Sequence, residues 1–89
     1  MIIQLYSYDY GRETPSTQMA KVLEELKELE MAWDKLSAVT EETFDVIQAL
    51  VGYLITLGVD VGAANRQHLE KLERRHGRVQ RAEKQSAVS

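Results

Sequence analysis

Met19, Val22, Leu26, Leu29, Trp33 and Leu36 follow one another in alternating steps of three and four residues. That spacing gathers apolar side chains on one face of an α-helix. It predicts an amphipathic helix over 16–36, entered through Ser16 or Thr17 as N-cap with Pro15 just before it. The short connection 37–40 makes the next helix an antiparallel neighbour. That helix is expected to start at Thr40 as N-cap and to run to Leu57, where Gly58 is a natural stop. Phe44, Val46, Ile47, Ala49, Leu50, Val51, Tyr53, Leu54, Ile55 and Leu57 leave it apolar around most of its circumference. A helix of that kind is expected to be buried on all sides, by the first helix, a third helix and a second subunit.

The third helix is expected to open at Asp60, with Val61, Ala64, Leu69, Leu72 and Val79 as apolar positions and Gly77 ending or weakening it. Residues 80–89 read as a polar tail. In 1–15, Ile2, Ile3, Leu5, Tyr6, Tyr8 and Tyr10 suit a short strand or an arm packed on a partner, closed by Gly11 to Pro15. The expected fold is therefore all-α, an antiparallel bundle with three main helices per chain, completed by oligomerisation. Its domain covers 16–79.

Composition narrows the reading further. A chain of 89 residues without cysteine has neither disulfides nor thiolate metal sites to support a small core. Association into a dimer or tetramer is the expected remedy. The longest apolar run, from Val46 to Val59, is broken by Gln48 and Gly52 and falls short of the ~20 residues that span a bilayer. No basic region followed by an apolar stretch opens the chain, so a cytoplasmic protein without membrane attachment is expected.

The net charge of −3 hides an asymmetry. Residues 24–45 hold eight acids against Lys27 and Lys35, while residues 66–84 hold seven bases against Glu70, Glu73 and Glu83. An acidic centre and a basic C-terminal helix suit a polyanion bound through a metal. Nucleic-acid binding would call for a more uniformly basic surface.

The chemistry concentrates in two runs, Glu24-Glu25-Leu26-Lys27-Glu28 and Glu41-Glu42-Thr43-Phe44-Asp45. Residues three or four apart share a helix face, so each run builds a compact acidic cluster. Two such clusters brought together make a pocket of oxygen ligands of the kind a hard divalent cation takes. Each acid also has a plainer reading. Glu24, Glu25, Glu28 and Glu30 suit a solvated helix surface, and Glu41 and Glu42 suit the first turn of a helix, where its dipole favours them. Asp45, between Phe44 and Val46 on a helix expected to be buried, calls for compensation by a metal or a base.

Glu25-x-x-Glu28-Leu29, a gap, and Glu41-Glu42-x-x-Asp45 ahead of an apolar helix resemble the MazG-like all-α nucleotide pyrophosphohydrolases. That superfamily includes dimeric dUTPases, dCTP pyrophosphatases and phosphoribosyl-ATP pyrophosphohydrolase. The resemblance covers residues 17–78. It implies Mg²⁺-dependent cleavage of a nucleoside triphosphate between the α and β phosphates, with Mn²⁺ as a substitute ion. By position it gives the metal to Glu25, Glu28, Glu42 and Asp45, with Glu24 and Glu41 as outer or base candidates. Lys71, Arg74, Arg75 and Arg78 share one face of a helix and suit a phosphate clamp, and the resemblance singles out Lys71 and Arg75; Asn65 suits a hydrogen bond to the substrate or packing at the helix start. A solvated basic stripe paired with Glu70 and Glu73 is the alternative for these bases. His68 and His76 have no metal-ligand spacing, and Trp33 and Tyr53 suit core packing better than stacking on a base. The run 69–77 is also similar to the end of phosphoribosyl-ATP pyrophosphohydrolases, so that activity is one alternative. A non-catalytic helical oligomerisation or regulatory module is another.

Overall fold

The computed structural model describes residues 5–77, which form three α-helices and no strand: α1 (Pro15–Met31), α2 (Leu36–Thr56) and α3 (Val61–His76). The all-α architecture expected from the periodicity is the one observed. The chain divides into two compact units. One is Tyr6–Val59, carrying α1 and α2; the described part of the other is Leu5 with residues 60–77, carrying α3. The expectations for Ile2, Ile3, Arg78, Val79 and the tail 80–89 lie outside the described residues. No single described helix is long and apolar enough to cross a membrane.

The first helix starts earlier than the sequence suggested. Thr14, not Ser16 or Thr17, is the N-cap, and Pro15 occupies the first turn, where its missing N–H leaves nothing unsatisfied. The Thr17 N–H donates to Thr14 Oγ1 (3.1 Å) and the Thr14 N–H donates back to Thr17 Oγ1 (2.9 Å). This reciprocal pair satisfies two donors at once. The Thr17 hydroxyl also donates to the Glu13 carboxylate at 2.8 Å.

The junction between α1 and α2 also differs from expectation. The helix predicted to reach residue 36 stops at Met31, and tight turns follow in which Ala32 N–H donates to Leu29 and Lys35 N–H to Ala32. Trp33 therefore leaves the α1 face and stands 81% exposed. Lys35 is the N-cap of α2, without a side-chain bond, and Leu36 is its first residue. Thr40, expected as the cap, lies inside the helix and donates its hydroxyl to the Leu36 carbonyl at 2.8 Å, the back-bonding open to a mid-helix threonine.

α1 and α2 pack along most of their length. The α1 positions turned inward are Gln18, Val22, Glu25, Leu29 and Ala32, buried or half-buried and spaced in steps of four and three. On α2, Val39, Glu42, Val46, Ala49, Tyr53 and Thr56 make the matching row. The register is antiparallel: Gln18 meets Ala49, through an Nε2–H to carbonyl bond of 3.1 Å, while Glu25 meets Glu42 and Asp45 nearer the α1–α2 turn. The stripe expected on α1 is thus rotated by one position. Val22 and Leu29 belong to the contact, Met19 is half-buried, and Leu26 is exposed. Within a single chain Phe44, Ile47 and Leu50 of α2 are exposed.

The far end of this pair is closed by the N-terminal segment. Tyr10 is buried, and its hydroxyl accepts from Gln48 Nε2 at 2.7 Å; the same Nε2 donates to the Tyr6 carbonyl at 2.8 Å. The Tyr10 ring lies over Gly52, where a Cβ would come within 2.5 Å of Tyr10 Cε1 and 2.8 Å of Gln18 Nε2. Glycine is required there by close approach. In 5–10, then, the segment forms no strand, and Tyr10 packs on its own chain.

α2 ends as its sequence indicates. Gly58 takes a positive φ of 77°, and the Val59 N–H donates back to the Leu54 carbonyl at 3.0 Å, a glycine C-cap. Asp60 then caps α3, its carboxylate accepting from the Ala63 N–H at 3.1 Å. The last turn of α3 carries Arg74, Arg75 and His76, cationic groups that suit the carbonyl end of a helix.

Candidate metal centre

Three carboxylates converge where α1 and α2 face each other, Glu25, Glu42 and Asp45, each offering an oxygen within 4.8 Å of the others. Glu28 adds its charge beside Glu25 and Glu42. The helical repeat explains how. Glu25 occupies an inward position of α1 and Glu28 sits one turn on. Glu42 occupies an inward position of α2 with Asp45 one turn on, and the antiparallel register brings the two pairs to the same level.

Glu25 and Glu42 stand where an apolar residue would ordinarily seal the contact. Each is half-buried, and each has one oxygen, Oε2, that is buried without a hydrogen-bond partner. Burial pushes the Glu25 carboxyl up, as does the charge of Glu28 beside it, with Asp45 and Glu42 adding to the effect. The Glu42 carboxyl is raised for the same reasons, burial first, then Glu28 and Asp45. Acids crowded this way favour the proton or another positive charge.

Two sequence-based arguments need correction. Asp45 is exposed, so burial on α2 is not what singles it out; it matters because it turns towards Glu25 and Glu42. Glu41 and Glu42 are not in the first turn, because α2 begins at Leu36. The dipole effect fades within the first turn, which removes the simple structural reason for Glu42. Glu24 and Glu41 are exposed and outside the group of ligand oxygens.

The donor set fits a hard divalent cation. It is all oxygen, it is anionic, and two of its oxygens are buried without a donor, as expected of Mg²⁺ sites built on carboxylates. Histidine plays no part: His68 and His76 are exposed residues of α3. Asn65, Lys71, Arg74 and Arg75 are likewise exposed on α3, in the other compact unit. A separate cavity of about 370 Å³ is lined by Tyr8, Asp9, Tyr10, Arg12, Gln18 and Lys21, among others, and contains none of the four carboxylates.

Sequence did not single out Gln18 and Gln48 for these contacts, yet Gln18 ties α1 to α2 and Gln48 ties Tyr10 of the N-terminal segment to α2. The signal for Gln18 was present: with Val22, Glu25 and Leu29 it keeps the same alternation as the leucine stripe. Comparison of the chain with protein families, curated proteins and solved structures finds no match.

Proposed function

We propose that this chain is a Mg²⁺-dependent nucleotide pyrophosphohydrolase that cleaves nucleoside triphosphates between the α and β phosphates. The observation that carries the reading is the meeting of the ExxE carboxylates of α1 with the ExxD carboxylates of α2, two of their oxygens buried and unpaired. The resemblance of the same residues to the MazG-like enzymes supplies the reaction.

Glu25, Glu28, Glu42 and Asp45 would hold the ion. When bound, Mg²⁺ neutralises phosphate charge and lowers the pKa of a coordinated water. The residues themselves contribute position. Glu25 and Glu42 are anchored by the helix contact, so their oxygens stay together without needing order imposed by substrate. Their raised pKa values leave them protonated more readily when no cation is present. Glu24 and Glu41 are the candidates for steering a water from the rim. Assignment of phosphate contacts to Lys71 and Arg75 rests on the resemblance, that of Arg74 on the helix face it shares with them, and Asn65 is a candidate for a substrate hydrogen bond. A cytoplasmic setting, where nucleotides and Mg²⁺ are both available, suits this activity.

The test is pyrophosphate release from a panel of canonical and modified nucleoside triphosphates plus phosphoribosyl-ATP, with Mg²⁺ and with EDTA. Release that requires Mg²⁺ and is lost in a folded Asp45→Ala supports the proposal, and the preferred substrate separates nucleotide clearance from phosphoribosyl-ATP hydrolysis. No release on the whole panel would favour a non-catalytic helical module.

A further inference from the structure

Gln18, Lys21, Glu25 and Glu28 follow one another on α1 in steps of three, four and three residues, so they share one face of the helix. The first two line the cavity of about 370 Å³, with Tyr8, Asp9, Tyr10 and Arg12 of the N-terminal segment around them. The last two belong to the acidic centre. From Gln18 to Glu25 is about 10 Å along the helix axis. On α2 the relation repeats: Gln48, which donates to the Tyr10 hydroxyl and the Tyr6 carbonyl, stands one turn from Asp45. The cavity and the carboxylates are neighbours along the same pair of helices, at a spacing that a nucleotide covers between its base and its phosphates.

The cavity is of a size that takes a small molecule, and its wall leaves one acceptor wanting. Gln18 is 1% exposed. Its Nε2–H is spent on the Ala49 carbonyl at 3.1 Å, while its Oε1 is buried without a hydrogen-bond donor. Such an orphaned acceptor is costly, and a donor brought by a ligand removes the cost. Asp9 accepts from the Gly11 N–H at 2.8 Å through one carboxylate oxygen and has a second. Tyr8 offers a ring whose centroid lies 4.2 Å from that of Tyr10. Tyr8, Arg12 and Lys21 are exposed, and exposed side chains change rotamer within nanoseconds, which opens the way to the Gln18 oxygen.

We infer that this cavity receives the base of the nucleotide and selects bases that carry an exocyclic amino group, with Gln18 Oε1 accepting from that group and the Tyr8 ring stacking on the base. The inference rests on the reading of the carboxylates as a nucleotide-hydrolysing centre. A glutamine with both ends free reads a base edge as donor and acceptor together; here only the acceptor is left. Cytosine, adenine and guanine each present an amino group. Uracil, thymine and hypoxanthine present a ring N–H beside carbonyl groups instead, and those carbonyls would be set oxygen to oxygen against Gln18 and Asp9. Lys21, between Gln18 and Glu25 on the shared row, suits the phosphates that lead from the base to the carboxylates.

The test is binding of nucleoside monophosphates to the full, isotope-labelled chain in EDTA, followed by amide chemical shifts, which needs neither metal nor turnover. CMP, AMP and GMP are expected to bind roughly tenfold more tightly than UMP, TMP and IMP and to shift the Gly11 backbone amide and the Gln18 side-chain amide. Tyr8→Ala is expected to weaken binding of all six, and Gln18→Met to bind the two groups alike. Should Gln18→Met not fold, GMP against IMP decides, because the two differ by the amino group alone. Equal affinities within the pairs CMP and UMP, GMP and IMP overturn the inference, as do shifts confined to residues outside the cavity, or no binding of any monophosphate. Pyrophosphate release from the triphosphates with Mg²⁺ is read separately. Release alongside indifferent monophosphate binding overturns this inference and spares the hydrolase, whereas selective binding without release supports the cavity and counts against the hydrolase.

Discussion

Replacing Gly52 by alanine should destabilise this protein, although the same change in a helix interior ordinarily stabilises it. Alanine gains about 1 kcal/mol over glycine from backbone propensity. Against that, the new Cβ would lie 2.5 Å from Tyr10 Cε1, and 2.8 Å from both Tyr10 Cζ and Gln18 Nε2. Neither neighbour can yield cheaply. Tyr10 is 5% exposed and held by Gln48, and Gln18 is 1% exposed and held by the Ala49 carbonyl. Overpacking of this kind costs about 1–3 kcal/mol, to which the displaced Tyr10 and Gln18 bonds add about 1 kcal/mol each. The net expectation is a loss of about 2–4 kcal/mol, a fall in the urea midpoint of roughly 1–4 M for a chain with a slope near 1–2 kcal/mol/M. Urea titration followed by circular dichroism at 222 nm measures it. In a Tyr10→Leu background the obstruction is smaller, so Gly52→Ala should cost less, and the difference is the coupling between the two sites. A midpoint that rises for Gly52→Ala in the wild-type background would refute the close packing of the N-terminal segment on α2.

Glu25→Gln should raise the melting temperature in EDTA, because it removes one of four crowded charges, while reducing any stabilisation that Mg²⁺ confers; thermal melts with and without the ion check both. The raised carboxyls of Glu25 and Glu42 set the sign of the pH dependence. Held above the ordinary glutamate value of about 4.3, they make the folded chain bind more protons than the unfolded one, so in EDTA their contribution favours folding at low pH and is lost as pH rises from that value through the folded-state values. Comparing the pH profile of stability for wild type and the Glu25→Gln/Glu42→Gln double variant isolates it, and identical profiles would count against the effect. Thr14→Ala should cost about 1 kcal/mol through loss of the reciprocal cap, read from the same urea titration.

The fold was legible where local chemistry has a single reading. The end of α2 and the start of α3 are written in Gly58 and Asp60, a glycine that can take positive φ and an acid that can cap. The α1–α2 turn carries no such mark. Trp33 and Leu36 continue the leucine spacing of α1 although the helix has already ended at Met31, so periodicity alone runs past the break. Thr40 looks like a cap because threonine caps well, but its hydroxyl serves equally well on a carbonyl inside the helix.

The candidate site was legible as a set and misread in its parts. Glu25, Glu42 and Asp45 meet, with the charge of Glu28 beside them, yet Asp45 is exposed, while Glu25, which suited a solvated helix surface, faces the helix contact. Hydrophobic patterning misplaces such residues because it assigns the inward face to leucines. Here Gln18 and Glu25 take inward positions, and Leu23 and Leu26 are exposed. Polar residues on an inward row between apolar ones are the places where a sequence departs from packing for the sake of chemistry.

The central claim is that these carboxylates hold a divalent cation, and Mn²⁺ binding followed by electron paramagnetic resonance tests it most directly. The account predicts saturable binding to the wild-type chain, displacement by excess Mg²⁺, and loss of binding in Glu25→Gln and in Glu42→Gln while both remain helical. Binding that persists unchanged in both folded variants, or no saturable binding to the wild type, would contradict it.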